Sequence, residues 1–411
     1  MNDESPVSRR EFLRTSAAAA VVAATGAAMA SDGEQSPKGE GDGPVLPRRK
    51  LGRTGVEITM LGQGAAFDIS ERHLNMMHSA GVRYIDGAAY YLTGNAERTI
   101  GRWLNKTGHR KEYFLLDKDI PLTPERLATM VDERLETLET DYLDMFMLAG
   151  MGDSDHYHGL EDTKWFADND WTKAVEKIRA SGKCRFFGFS THTEPIDIRT
   201  GMLEAAAEGG WVDAILVSAD PLVLRDNAAF GKAVDACHKA GVGLISMKQN
   251  RSGAGGIKKV LPDFEEKGLN AHTAVLSAMW TDERFASVCS HMNSFKKLQE
   301  NAAACRDFKP LTGDELGALD GLLRGAEHVC CLRCDGSCRR AGGTRADLNT
   351  IARYVSYARN DGRVGEARDL LLRMAPEARD WSGADLEAAR RACKSHLDFA
   401  GIVRRAEALL A

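Results

Sequence analysis

Eight short apolar runs, spaced by helix-length segments, limit what this chain can fold into. They read ITMLGQG (58–64), VRYID (82–86), YFLLDK (113–118), YLDMFML (142–148), CRFFGFS (184–190), DAILVSA (213–219), GVGLISM (241–247) and FASVCS (285–290). Each is nearly continuously apolar rather than alternating with polar residues, the pattern of a strand covered on both faces. Helices are expected near Ser70–Ala80, Ala96–Asn105, Pro124–Leu138 with Thr123 as N-cap, Thr172–Ser181, Ile196–Glu208, Ala228–Ala240 and Ser294–Cys305. About 250 residues of such alternation is the usual extent of a closed (β/α)₈ TIM barrel, which is the fold expected here. An open doubly wound sheet is the alternative, but no strand is followed by a G-x-G-x-x-G turn. A short hairpin, RRKLGRTGVEITML, turning at Thr54-Gly55, precedes the barrel pattern.

Barrel sites lie at the C-terminal ends of the strands, where Asp86, Lys118, Ser190 and Lys248 fall. The stretch YIDGAAYYLTGNAE (84–97) carries the densest chemistry. Asp86 ends one strand, Tyr91 follows in the loop, and Lys118 ends the next strand, so adjacent parallel strands place the three on one face. A phenol has a pKa of about 10 and must be lowered to act near neutral pH. A neighbouring ammonium does this by favouring phenolate, and a carboxylate holds that ammonium in place and charged.

Composition bounds the rest. Hydrophobic content of 43% and charged content of 27% over 411 residues suit a globular protein. A net charge of −5 gives no reason to expect nucleic acid or an anionic membrane as partner. SRREFLR (8–14), the Ala/Val-rich run 17–30 and Ala28-Met29-Ala30 before Ser31 resemble a twin-arginine export signal, with 1–30 as signal peptide and 31–47 as flexible polar linker. This implies contact with the export machinery, an exported or periplasmic location, and no stable membrane span in the mature chain. Cys184, Cys237, Cys289 and Cys305 lie in apolar or helical patterns and read as packing residues.

RKLGRTGVEITMLGQG (49–64), YIDGAAYY, LETDYLDMFML, GFSTHT, GVGLISMK and SFKKLQEN follow one another in the order found in the aldo/keto reductase family, which the stretch 48–309 therefore resembles. The resemblance implies a barrel with its hairpin plugging the bottom. It also implies a bound NADP(H) or NAD(H) and reduction of a small carbonyl compound by hydride transfer. Asp86, Tyr91 and Lys118 match the family's catalytic positions, with Tyr91 as proton donor. The family's fourth-strand His position is Ala149, and His156, His158 and His192 are loop histidines able to substitute. Implied cofactor contacts are Ser190, Lys248 with the glycines of NRSGAGG (250–256), and Lys297, Glu300 and Asn301. The sixth-strand cofactor positions read Leu216 and Ala219, and Asp220 stands where Asn is common. His291, often Lys or Gly, leaves NADPH versus NADH open. A second reading is a retired barrel that binds or transfers electrons without reducing carbonyls, which Ala149, Leu216 and Ala219 favour.

After Pro310 the chain is helical and polar, with Cys330, Cys331, Cys334 and Cys338 in CCLRCDGSC and Cys393 near the end. Four thiolates meet the needs of one 4Fe–4S cluster or a structural zinc. Cys331, Cys334, Cys338 and Cys393 are the expected ligands, Cys330 and His396 the alternates. The region 310–411 resembles a reduced ferredoxin-like segment, with NTIARYVSYARNDG (349–362) as its central helix.

Overall fold

The structure, a computed structural model, describes residues 44–120, 123–152, 163–193, 196–249, 257, 260–325, 331, 336–361, 364–393 and 397–411. The expected export signal, most of the linker, His156, His158, the glycines of 250–256, Cys330, Cys334 and His396 lie outside the described residues.

Strands β1 (Arg48–Lys50) and β2 (Glu57–Thr59) pair antiparallel. Then come β3 (Leu61–Gly64), β4 (Tyr84–Asp86), β5 (Phe114–Asp119), β6 (Leu143–Leu148), β7 (Cys184–Thr191), β8 (Ala214–Ser218), β9 (Gly243–Met247) and β10 (Ser287–Ser290). These eight close into a barrel in sequence order, β10 pairing with β3, and every pairing is parallel. The doubly wound alternative is therefore wrong: strands without an alternating polar face pack equally well in a closed sheet, and only closure leaves no edge.

Every β4 and β6 residue is buried, as continuous apolar runs require. Inside the barrel Tyr84, Phe114, Leu116, Met145, Met147, Ala214, Leu216 and Ile245 form one cluster with Leu51 and Ile58 of the hairpin, which thereby closes the bottom. Gly52 makes this docking possible: its φ is +49° and a Cβ would lie 2.3 Å from the Gly241 carbonyl oxygen. Gly188 on β7 is equally constrained, since a Cβ there would meet the Ala214 carbonyl oxygen at 1.9 Å.

The surrounding helices are α1 (Glu71–Ser79), α2 (Asn95–Thr107), α3 (Pro124–Thr137), α4 (Asn169–Ala180), α5 (Ile196–Glu208), α6 (Pro221–Asp226), α7 (Ala228–Lys239), α8 (Pro262–Glu266), α9 (Ala271–Thr281) and α10 (Phe295–Arg306). Side-chain caps start several: Ser70 for α1, Asp168 for α4, Asp220 for α6, Asn227 for α7 and Ser294 for α10. Thr123 stands at the N-cap of α3 but makes no capping bond; Pro124 at the first helical turn, where its missing N–H is no loss, starts the helix instead. Helices α6, α8 and α9 were not expected from the sequence. Residues 273–280 of α9 are all buried, so the helix has no polar stripe to reveal its period.

Helix α11 (Gly313–Gly325) lays Leu319 and Leu323, with Leu311, on the barrel's outer core. The elements α12 (Ser337–Ala341), α13 (Leu348–Asp361), α14 (Val364–Arg373), α15 (Leu386–Ala392) and α16 (Phe399–Leu410) then build a second apolar cluster around Ile351, Tyr354, Leu371 and Phe399. No helix among the described residues is long and apolar enough to cross a membrane.

Candidate active site

The register that closes the barrel also assembles the site. Asp86 opposes Leu116, and Lys118 lies two residues further toward the C-terminal end of β5, opposite Met147. Side chains alternate across a strand, so Lys118 points inward on the face that carries Leu116. Its ammonium donates to Asp86 Oδ1 and, at 2.6 Å, to the Gly87 carbonyl. Both partners of this ion pair are buried, Lys118 being 2% exposed. Burial is the largest single influence on Lys118 and acts to lower its pKa. The Asp86 charge, Tyr90 and the Asp86 hydrogen bond together outweigh it, leaving the pKa above its ordinary value. The lysine therefore stays protonated at the barrel mouth.

Tyr91 packs against this pair, the Lys118 ammonium lying 5.1 Å from its ring centroid. The turn that carries it is strained: Leu92 and Thr93 follow with φ of +49° and +55°. Left-handed backbone costs a non-glycine residue on the order of 1 kcal/mol, and such strain gathers at functional sites. The three expected catalytic residues are thus brought together.

The sequence did not reveal several of their neighbours. Tyr90 sets a second phenol edge-on to Tyr91, ring centroids 5.1 Å apart. Its pKa is pushed up, first by desolvation and then by Tyr91, while Lys118 opposes the rise. Tyr90 remains 44% exposed, so water tempers that rise. Cys289, expected only to pack, lies beside Asp86, and burial followed by the Asp86 charge keeps it a thiol.

Behind Lys118 sits a carboxyl pair. Asp117 Oδ1 accepts the Lys118 backbone N–H at 2.7 Å, and Glu97 Oε2 lies 3.5 Å from the Arg134 guanidinium. The remaining oxygens, Glu97 Oε1 and Asp117 Oδ2, are buried without a donor, and the two side chains lie close enough to influence each other. Burial, the first cause in each case, raises both pKa values.

The expected cofactor residues take separate places around the mouth. Ser190, buried at the end of β7, accepts the Gly150 N–H at 3.0 Å. Lys248 follows β9 with a φ of +59°. Asn301 is buried and donates to Ser290 Oγ at 3.1 Å, tying α10 to the end of β10. Lys297 is exposed and donates to Asn293, and Glu300 pairs with Lys296 at 3.8 Å. Ala149 is buried, and its N–H is taken by the Asp119 carbonyl.

Asp220 is an N-cap, its Oδ1 accepting the Val223 N–H at 3.0 Å. Burial raises its pKa to about 6 from 3.8; the capping bonds and the Arg199 charge only partly oppose this. The folded state therefore holds the proton more tightly. That contribution to stability is complete below about pH 4 and lost as pH rises through about 6. Asp220→Asn keeps a capping acceptor and removes the titration. It is expected to unfold at the same temperature as the parent near pH 4 and to be more stable by roughly 2–3 kcal/mol above pH 7, read from paired melting curves.

In the extension Cys338 and Cys393 are buried in one apolar cluster, and Cys331 packs against it. Among the described residues they do not form a group of ligand atoms within 4.8 Å of one another, the compactness that sulfurs about 2.3 Å from a single zinc ion demand. The one such group is His78, His109 and Glu112, on the side opposite the mouth. There the Arg83 guanidinium lies 3.3 Å from His78 Nε2 and 3.6 Å from Glu112, supplying the positive charge that a metal would bring.

Residues 59–259 match the model of the aldo/keto reductase family. The match spans most of the barrel, from β2 into the segment after β9. An L-galactose dehydrogenase of Arabidopsis thaliana is 24% identical over 326 residues, covering 68% of this chain and 95% of that protein. A methylglyoxal reductase of Escherichia coli is 31% identical over 145 residues, covering 33% of this chain and 46% of that protein. Among solved structures, an aldo-keto reductase of Bacillus halodurans (holo form) covers 69% of this chain and 97% of its own, with a TM-score of 0.54 at 18% identity. An aldo/keto reductase of Klebsiella pneumoniae in complex with NADP and acetate covers 66% and 94%, with a TM-score of 0.51 at 20% identity. These likenesses establish the aldo/keto reductase barrel as the fold.

Proposed function

We propose that this chain is an NAD(P)H-dependent oxidoreductase of the aldo/keto reductase type that reduces a small carbonyl compound, with Tyr91 as proton donor. The observation that carries this is the buried Lys118–Asp86 ion pair against Tyr91 at the C-terminal ends of adjacent strands. The named activities of the relatives, methylglyoxal reductase and L-galactose dehydrogenase, support a carbonyl or its alcohol as the reacting group.

The residues present fit a nicotinamide dinucleotide. Ser190 and Asn301 are buried polar groups at the ends of β7 and β10, and Lys248 is a cation held in strained backbone at the end of β9. These three, with Lys297 and Glu300 on α10, would hold it, and when bound it supplies the hydride. The protein's part is proton delivery. As negative charge grows on the carbonyl oxygen, Tyr91 donates its proton, and the protonated Lys118 stabilises the phenolate left behind. Asp86 keeps Lys118 charged and aimed.

Titration with NADPH and NADH, followed by quenching of the six tryptophans, tests the reading. Saturable binding in the micromolar range is expected; no binding by nucleotide-free protein would leave the retired-barrel reading standing. Two further parts belong to the same proposal. Cys331, Cys338 and Cys393 share one apolar cluster, and with Cys334 they offer four thiolates to one iron–sulfur cluster. Visible absorption with stoichiometric iron and sulfide in anaerobically purified protein is expected, and colourless, iron-free protein removes that part. Arg9 and Arg10 direct export of the folded chain, so Arg9→Lys with Arg10→Lys is expected to strand it in the cytoplasm, as fractionation would show.

A further inference from the structure

The loops leaving β6 and β7 are stitched together. Met151 N–H donates to the Ser190 carbonyl at 2.8 Å and Gly150 N–H to Ser190 Oγ at 3.0 Å. Thr191 Oγ1 donates to the Met151 carbonyl at 2.9 Å, and Thr193 Oγ1 to the Gly152 carbonyl. His192 sits in the middle of this seam. Its Nδ1 lies 3.2 Å from Arg353 Nη1, and Arg353 comes from α13 of the C-terminal extension, 161 residues away.

A guanidinium can only donate. In a hydrogen bond between the two, Nδ1 is therefore the acceptor, and the contact holds the orientation of the ring. Arg353 is itself anchored: it is 6% exposed, its Nη2 donates to Tyr354 Oη at 3.1 Å, and its guanidinium lies 4.8 Å from the Tyr354 ring centroid. Tyr354 in turn belongs to the extension's apolar cluster. A continuous line of packed and hydrogen-bonded groups thus joins that cluster to the barrel mouth.

We propose that Arg353 is a positioning residue which, through His192, fixes the 149–152 and 190–193 loops, so that the extension forms one side of the active site. The catalytic consequence rests on the reductase reading above; the loop clamp does not. The contact bears on Ser190, the expected nicotinamide contact, and on the loop that begins at Ala149, where the family's histidine is missing.

The test uses the full-length chain without nucleotide. Arg353→Met keeps an unbranched apolar stem and removes the donor; His192→Phe keeps a ring and removes the acceptor. Each is expected to speed amide hydrogen exchange in 149–152 and 190–193 by about tenfold or more, while exchange in β4 and β5 is unchanged. The double variant is expected to be no faster than either single one, the signature of one shared interaction. Arg353→Lys and His192→Asn, which retain a donor and an acceptor, are expected to stay close to the parent. With NADPH and methylglyoxal as probes, Arg353→Met is expected to raise KM by about tenfold with a smaller change in kcat. Unchanged exchange in the two loops, or additive single effects, would overturn the proposal. Faster exchange in a protein that binds no nucleotide supports the clamp and removes the reductase reading instead.

Discussion

Tyr91→Phe is expected to lower carbonyl reduction by about 10³-fold, the scale of a lost general acid, and to leave NADPH affinity within about twofold. The ring stays, so its packing against the Lys118 ammonium and against Tyr90 survives; only the transferable proton goes. Tyr90→Phe is the matched control, because it removes a second phenol from the same cluster. Its hydroxyl carries a raised pKa, from desolvation and then Tyr91, and Tyr90 stands one residue before the position that the family's proton donor occupies. A loss of less than about tenfold is expected there. Steady-state rates with NADPH and a panel of small aldehydes separate the two. A collapse in Tyr90→Phe with a mild effect in Tyr91→Phe would move the proton donor by one residue. The strained Leu92–Thr93 backbone makes such a shift of register worth testing.

The barrel and the strand-tip places of Asp86 and Lys118 could be read from the sequence because both follow from periodicity, whereas Tyr91, a loop residue, was singled out by its match to the family's position. Continuous apolar runs announce buried parallel strands, and a charge ending such a run, as Asp86 and Lys118 do, sits at a strand tip. What escaped lacks a period or depends on distant contact. Tyr90 is in a loop, where nothing in the spacing says which way it faces. Glu97 looked like an ordinary acid in the first turn of a helix, yet it is buried against Asp117, twenty residues on. Helix α9 hid because residues 273–280 are all buried and leave it no polar stripe. Arg353 read as one more polar residue of a helix, since its link to His192 depends on how the extension folds back. Cys289 matched a packing residue and is one, but its place beside the Asp86 carboxylate needed the register of β10 against β3 and β4.

Removing the ammonium at the centre of the site is expected to have the largest effect on stability. Lys118→Met leaves Asp86 buried with its charge unmatched, and breaking a buried pair in this way costs about 3–5 kcal/mol, a large share of the roughly 5–15 kcal/mol that holds a domain folded. The neighbouring Cys289 thiol cannot compensate, because it is held neutral. The double variant Asp86→Asn with Lys118→Met removes both charges and is expected to recover most of the loss, because a neutral pair avoids the desolvation penalty. Activity is expected to stay low in both, since neither retains a cation to stabilise the Tyr91 phenolate. Melting temperature and rate measured on the same three proteins divide the roles. Stability that returns without activity means the ion pair serves the chemistry and the fold merely tolerates it. Equal instability in single and double variants would mean that the lysine holds the mouth through its bond to the Gly87 carbonyl, and Asp86 would then be left with charge balance as its whole task.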